Sequence, residues 1–227
     1  MKPLRIRINS AVTVVFLWVA SQTAFAADGA TIDLFSGKPC YRCHPGKVSG
    51  PGLLHSAMEG NRCTPCHKLS NGNHQVDRRY SEVKDRTARL CYECHVDQSR
   101  QKSVHPPILA DDCLGCHAAH SSTNGNLLKA PLSRLCFECH GSTLVNEENA
   151  GQATGFRDGS RNLHYLHSRK KGLPCLICHQ AHASSQDHLL RTTGGRGKNL
   201  LTLTYQTTAT GGRCISSCHE TADYVRK

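Results

Sequence analysis

Very little of this 227-residue chain is suited to building an ordinary core. Aromatic residues make up 5% and hydrophobic residues 38%, against roughly 45–50% apolar usage in a typical globular domain. There are two Met and one Trp. The one long apolar run, Ala11 to Ala20, is shorter than the about 20 residues a spanning helix needs. No later stretch approaches a membrane span. Acidic residues are also scarce: 17 against 28 basic ones, a formal net charge of +11. That surplus invites a nucleic-acid reading, which the cysteines must first support or sink.

Residues 1–26 read as a secretory signal peptide. Lys2, Arg5 and Arg7 form a basic start, the apolar run follows, and Ala24-Phe25-Ala26 fits the small-x-small cleavage rule. The expected mature start is Ala27. An uncleaved anchor is the alternative, opposed by the shortness of the run. Cleavage removes Trp18 and leaves Met58 as the only Met.

All 14 Cys fall into seven pairs, and a His follows every pair. Six are Cys-x-x-Cys-His: Cys40/Cys43/His44, Cys63/Cys66/His67, Cys91/Cys94/His95, Cys113/Cys116/His117, Cys136/Cys139/His140 and Cys175/Cys178/His179. The seventh, Cys214/Cys218/His219, has one extra intervening residue. With 15 His in the chain, a random His after all seven pairs has a probability of order 10⁻⁸. CxxCH is the attachment signature of c-type haem. On a helical turn, positions i, i+3 and i+4 share a face. Two thiols there can form thioethers to the porphyrin while the imidazole reaches the iron. Disulfides suit an exported chain but give no reason for the His. Structural zinc accepts Cys/His sets but needs no fixed Cys-His dipeptide.

Eight His stand outside the motifs: His55, His74, His105, His120, His164, His167, His182 and His188. Met is another common axial ligand, but Met58 can serve one iron at most. The expectation is therefore seven haems, nearly all bis-His and of low potential.

Spacing sorts most of these His into an internal repeat. Arg89-Leu90-Cys91-Tyr92-Glu93-Cys94-His95 recurs as Arg134-Leu135-Cys136-Phe137-Glu138-Cys139-His140, with a weaker copy from Lys38. His55, His105 and His167 each stand eight residues before a cysteine, Cys63, Cys113 and Cys175. His120 and His182 continue their motifs as CxxCHxxH, where the first repeat has Ser70 and His74 is the nearest substitute. His164 and His188 have no counterpart in the other repeats. One of them is expected to serve the seventh iron; the other is a surface residue or a ligand for a neighbouring chain.

The chain resembles the multihaem cytochromes c with doubled CXXCH motifs, which include periplasmic pentahaem and decahaem electron carriers. The resemblance covers roughly residues 38–219, and CxxCHxxH at His117/His120 and His179/His182 is its most specific mark. It implies bis-His haems in a close row that electrons cross by hopping. The seventh motif departs from it, since an extra residue turns the second Cys and the His by about 100° on a helix.

The expected fold is mostly irregular and α, with a core of haem. Short helices carry the CxxCH turns, and minor β-structure lies near the C-terminus. After the leader come dihaem repeats at 27–85, 86–130 and 131–191, then a C-terminal segment, 192–227, with the seventh motif. Residues 141–162 read as a polar surface loop and 192–197 as a linker. Leu201, Leu203 and Tyr205 alternate with polar residues as a strand does. Arg169-Lys170-Lys171 is a basic turn, with docking as its candidate role.

The leading functional expectation is an electron carrier in the periplasm, with an extracellular site as the other option. Its partners would be a quinol dehydrogenase and a terminal reductase or a porin-cytochrome conduit, with no nucleic acid and no membrane span after cleavage. One alternative is a reductase of a small oxyanion with one open haem, most simply at the seventh motif. The other is a subunit of a cytochrome filament. No CxxCK site is present.

The charge then reads differently. Removing Lys2, Arg5 and Arg7 leaves 25 bases against 17 acids, a net +8. Seven haems would bring 14 propionates, giving about +1 oxidised and about −6 reduced at ordinary carboxylate pKa values. Much of the basic surplus thus offsets propionates and is no nucleic-acid footprint.

Overall fold

The computed structural model describes residues 40, 44–47, 52–58, 63–69, 81–194 and 200–227. All lie within one compact unit, Thr31–Lys227. The expected leader, Cys43 and His74 lie outside the described residues.

Regular structure comes in small pieces. In chain order these are β1 (Leu53–Leu54), β2 (His67–Leu69), β3 (Ser81–Val83), α1 (Arg89–Tyr92), β4 (Ser103–Val104), α2 (Pro106–Leu109), α3 (Cys113–Cys116), β5 (Ser121–Ser122), α4 (Leu132–Phe137) and α5 (Thr143–Asn146). Then follow β6 (Arg157–Asp158), β7 (Arg161–Asn162), a π-helical turn at Tyr165–Lys170, a 3₁₀ turn at Cys175–Ile177, β8 (Ala183–Ser184), β9 (Thr193–Gly194), β10 (Leu201–Thr207), β11 (Gly211–Ser216) and β12 (His219–Val225). Helices of four to six residues are far below the length that is stable alone. Their stability must come from what they pack against.

The polypeptide supplies little of that packing. Among the described residues the buried hydrophobic ones are Met58, Ala88, Ala150, Ala183, Leu201, Leu203 and Tyr224. Three of the seven are alanines, which bring little apolar area. No helix among the described residues is long and apolar enough to cross a membrane.

Two-residue ladders tie distant segments together. β1 pairs antiparallel with β5, Leu54 opposite Ser121, and β4 pairs with β8, Val104 opposite Ala183. The stretches 113–129 and 175–191 match bond for bond. His117 bridges to Leu128 as His179 does to Leu190. Lys129 N donates to Cys116 O, and Arg191 N to Cys178 O, both at 2.9 Å. Ser122 and Ser184 donate their hydroxyls to the carbonyls of Leu128 and Leu190. In each stretch two consecutive residues take left-handed backbone, Asn126 and Leu127 in one, His188 and Leu189 in the other.

The C-terminal segment is a four-stranded sheet in the order β12-β11-β10-β9. The expected strand is its second-from-edge member, β10, burying Leu201 and Leu203 and exposing Thr202 and Thr204, the period of two that a pleat imposes. Gly211 permits the close approach of β12, since a Cβ there would overlap the Tyr224 carbonyl. Tyr205 and Tyr224 hydroxyls meet at 3.0 Å. Arg213 holds Asp223 across β11 and β12 through two bonds of 2.7 and 2.8 Å.

Three sequence expectations need correction. Thr193–Gly194, read as linker, is β9 and pairs with β10. Residues 141–162, read as a surface loop, hold α5 and the β6–β7 hairpin and end in Asn162, which is wholly buried. Polar composition hid this, because the segment is held by backbone and amide hydrogen bonds instead of apolar contacts. The short helix expected through Cys63 and Cys66 is absent: Cys66 stands in a turn, and β2 begins at the next residue. The β2–β3 ladder takes the backbone groups that a longer helix would use, and Lys84 N donates to Cys66 O at 2.9 Å.

Candidate haem-binding site

Six of the seven motifs share one local bond. The backbone N–H of the motif His donates to the carbonyl of the first Cys, for His44, His67, His95, His117, His140 and His179, at 2.9–3.0 Å. This i to i+4 bond closes one helical turn. On such a turn positions i, i+3 and i+4 share a face. Helical turns carry four of these motifs: α1, α3, α4 and the 3₁₀ turn at Cys175–Ile177. In the second motif the turn stands alone. Cys66 N donates to Cys63 O at 3.2 Å and His67 N to the same carbonyl at 3.0 Å. One turn is enough to keep Cys63, Cys66 and His67 together for a porphyrin, without the helix.

The seventh motif departs further. Cys214 lies on β11 and His219 opens β12, paired with Ser216, with a register shift between Cys214 and Ser216. The extra residue that would rotate a helix by about 100° is taken up in a hairpin turn. Cys218 N donates to the Ser216 hydroxyl at 3.3 Å.

The thirteen described cysteines are thiols without disulfides. Of the second cysteines, Cys66, Cys116 and Cys178 are half-buried, whereas Cys94, Cys139 and Cys218 are exposed. The first cysteines of neighbouring motifs meet as hydrogen-bonded pairs: Cys40 with Cys63, Cys91 with Cys113, and Cys136 with Cys175. Burial, and then the facing thiol, pushes Cys63 and Cys91 up to about 11. Cys66 adds a smaller push on Cys91, which places the second motif beside the third.

The histidines associate in pairs, each joining one motif His to one outside the motifs. Ring centres lie 6.0 Å apart for His95 and His55, 6.2 Å for His67 and His120, and 6.2 Å for His140 and His105. They lie 5.8 Å apart for His117 and His182, 6.2 Å for His179 and His164, and 6.4 Å for His219 and His167. Such distances are too long for direct ring stacking at van der Waals contact. Two metal–imidazole bonds of about 2.0–2.1 Å, with about 1.2 Å from each nitrogen to its ring centre, put trans imidazoles roughly 6.4 Å apart. All six pairs fit one iron between them.

The electrostatics suit the same ligand. A metal-binding imidazole must be neutral. Burial lowers the pKa of His55, His67, His105, His120, His179 and His182 below the usual value, and takes His164 down to about 4. Several rings also have Nδ1 fixed. Nδ1 of His117 donates to the Asn126 carbonyl at 2.9 Å, that of His179 to the His188 carbonyl at 3.0 Å, and that of His219 to the Glu220 carbonyl at 2.5 Å. Nδ1 of His167 donates to the Leu163 carbonyl at 2.7 Å. A proton held on Nδ1 leaves the Nε2 lone pair for a metal, the usual outer-shell device.

A porphyrin also needs apolar walls. Phe137, Leu114 and Ile215, each following the first Cys of its motif, are exposed. A cleft of about 500 Å³ beside Cys175 is lined by Leu132, Phe137, Val145, Leu173 and Pro174, within the size range of cofactor pockets. The residues present fit haem.

Some supporting residues gave no sequence signal. Phe156 lies edge-on to His164 at 5.1 Å and stacks on His167 at 5.7 Å. Asn162 donates through Nδ2 to the carbonyls of Leu144 and Glu147, and its Oδ1 accepts from the N–H groups of His164 and Tyr165. The Thr154 hydroxyl meets His164 Nδ1 at 3.0 Å. All three fall in the polar segment first read as a loop.

The structure redistributes the two leftover histidines. The expectation put His164 or His188 opposite the seventh motif. The ring opposite His219 belongs to His167, and His164 faces His179. The His188 ring packs edge-on against Tyr205 at 5.4 Å. Its backbone, at φ 58°, repeats Asn126 at φ 55°.

The doubled CXXCH motif family model matches residues 55–100 and 105–144. Paired motifs of this kind are consistent with a multihaem c-type cytochrome. No curated protein matches the chain, and no solved structure does. Each matched segment contains two motifs, but its frame is offset by one motif from the dihaem repeats read from spacing.

Proposed function

We propose that this chain is a heptahaem electron carrier working outside the cytoplasm. It would take electrons from a quinol-linked donor and pass them to a terminal reductase or an outer-membrane conduit. The observation that carries the reading is the set of six histidine pairs, each spaced for one iron. Haem held at such sites supplies one-electron chemistry, its iron alternating between ferric and ferrous.

The chain's own residues account for the rest. Cysteine pairs would fix each porphyrin covalently, and at the six paired sites a His on each side would fill the axial positions, leaving no place there for a substrate. Bis-imidazole ligation, in contrast to His/Met, lowers the potential. The tight thiol pairs, such as Cys91 with Cys113, bring neighbouring attachment points together, as hopping requires.

The competing reading is a small-oxyanion reductase with an open seventh site. His167 facing His219 at 6.4 Å speaks against it. The deciding experiment is a reduced-minus-reduced-plus-CO difference spectrum of the holoprotein, with intact mass as the haem count. A carrier gives seven haems and no CO shift. A CO-binding haem at the seventh motif would overturn the carrier reading.

A further inference from the structure

The matched segments 55–100 and 105–144 each open at a histidine that stands eight residues before a motif. In both, that histidine faces the segment's own second motif: His55 faces His95 and His105 faces His140. The relation occurs a third time beyond the matched residues. His167 stands eight residues before Cys175 and faces His219 of the seventh motif. The CxxCHxxH histidines face the other way along the chain. His120 faces His67, and His182 faces His117. The bond-for-bond match of 113–129 with 175–191 places both histidines by the same local structure.

We propose that residues 167–219 are a third doubled unit, closed by the Cx₃CH motif at Cys214, and that one rule sets the axial ligands. The opening histidine of a unit serves the second iron of its own unit. The CxxCHxxH histidine serves the first iron of the unit before. This rests on the haem-binding reading above.

The rule accounts for both irregularities in the histidine count. Residue 70, the CxxCHxxH position of the first unit, is Ser70, and residues 1–39 contain no motif for a histidine there to serve. Residues 183–227 contain no CxxCHxxH histidine for the third unit's first iron. His164 takes that place, one turn before His167 and 6.2 Å from His179.

The contacts also set the order of the irons. Motifs one and two, three and four, and five and six meet through their first cysteines. Two and three are joined where His55 N donates to His120 O at 2.8 Å, and four and five where His105 N donates to His182 O at 2.9 Å. Six and seven are joined through His164 and His167 on one helical turn. The result is a single file in chain order.

The test is ligand replacement combined with motif removal in the holoprotein. His105→Met should give one haem with a Met–ferric-iron charge-transfer band. That band should survive Cys113→Ser/Cys116→Ser, which removes the fourth haem, and vanish with Cys136→Ser/Cys139→Ser, which removes the fifth. His167→Met should likewise survive loss of the sixth motif (Cys175→Ser/Cys178→Ser) and vanish with the seventh (Cys214→Ser/Cys218→Ser). The opposite pattern, or no Met band with the haem count intact, overturns the rule. Where a motif-deleted background fails to accumulate, a structure of the holoprotein reads the ligands directly, and His105 on the iron of His117 overturns it. Failure of the underlying reading is seen separately, as no covalent haem by mass in the parent protein.

Discussion

The imidazoles of His164 and His179 face each other at 6.2 Å with their planes 23° apart. Burial takes His164 down to about 4, so the ring is neutral across the physiological range. His164→Met in the holoprotein should raise the potential of one haem, since Met ligation raises it relative to His. The other six should hold. His188→Asn should leave the spectrum unchanged, because it keeps the carbonyl that His179 uses. Redox titration with optical detection reads both.

Asn162 makes four hydrogen bonds with no exposure. Asn162→Ala leaves two carbonyls and two N–H groups short of partners. The expected loss is about 2–4 kcal/mol, measured by denaturant unfolding of the holoprotein. The sixth haem should be the first to lose its low-spin character on warming, because His164 follows directly from the lost bonds.

Asn126 and His188 sit at φ 55° and 58°. Asn and Gly tolerate that region and β-branched residues do not. Asn126→Gly should change stability little. Asn126→Val should lower it by about 1–3 kcal/mol and loosen the carbonyl that orients His117. Thermal unfolding of the two variants side by side checks the difference.

Thiol counting tests the seventh motif. With all 14 Cys in thioethers, the denatured holoprotein should react with no thiol reagent. Failure of attachment at Cys214 and Cys218 would expose two thiols and reduce the mass by one haem. Cys218→Ser alone should leave attachment through Cys214.

The motifs were legible because their chemistry is local: two thiols and an imidazole within five residues, closed by one turn. What the turn leads into was not, as Cys66 and His67 show by entering a strand where a helix was expected. The strand at Leu201 was legible because its period is visible over a few residues. The pairing of histidines was not. His55 and His120, which serve neighbouring motifs, are brought together by a ladder of only two residues, Leu53–Leu54 against Ser121–Ser122, too short to leave a hydrophobic period. The spare histidines could be found by elimination but not assigned. The role of residues 141–162 was hidden because Asn162 acts through amide hydrogen bonds, which composition reports as polarity.

The joint between β1 and β5 has a consequence for assembly. Under the proposed rule, the iron attached beside His67 completes its coordination only when His120, fifty-three positions later, has been delivered. The iron beside His117 waits in the same way for His182, sixty-five positions on. The first and second units are therefore each finished by the unit that follows. By the same rule, a chain cut short before residue 120 would leave its second iron with a vacant axial position, a misassembled product open to peroxide and CO.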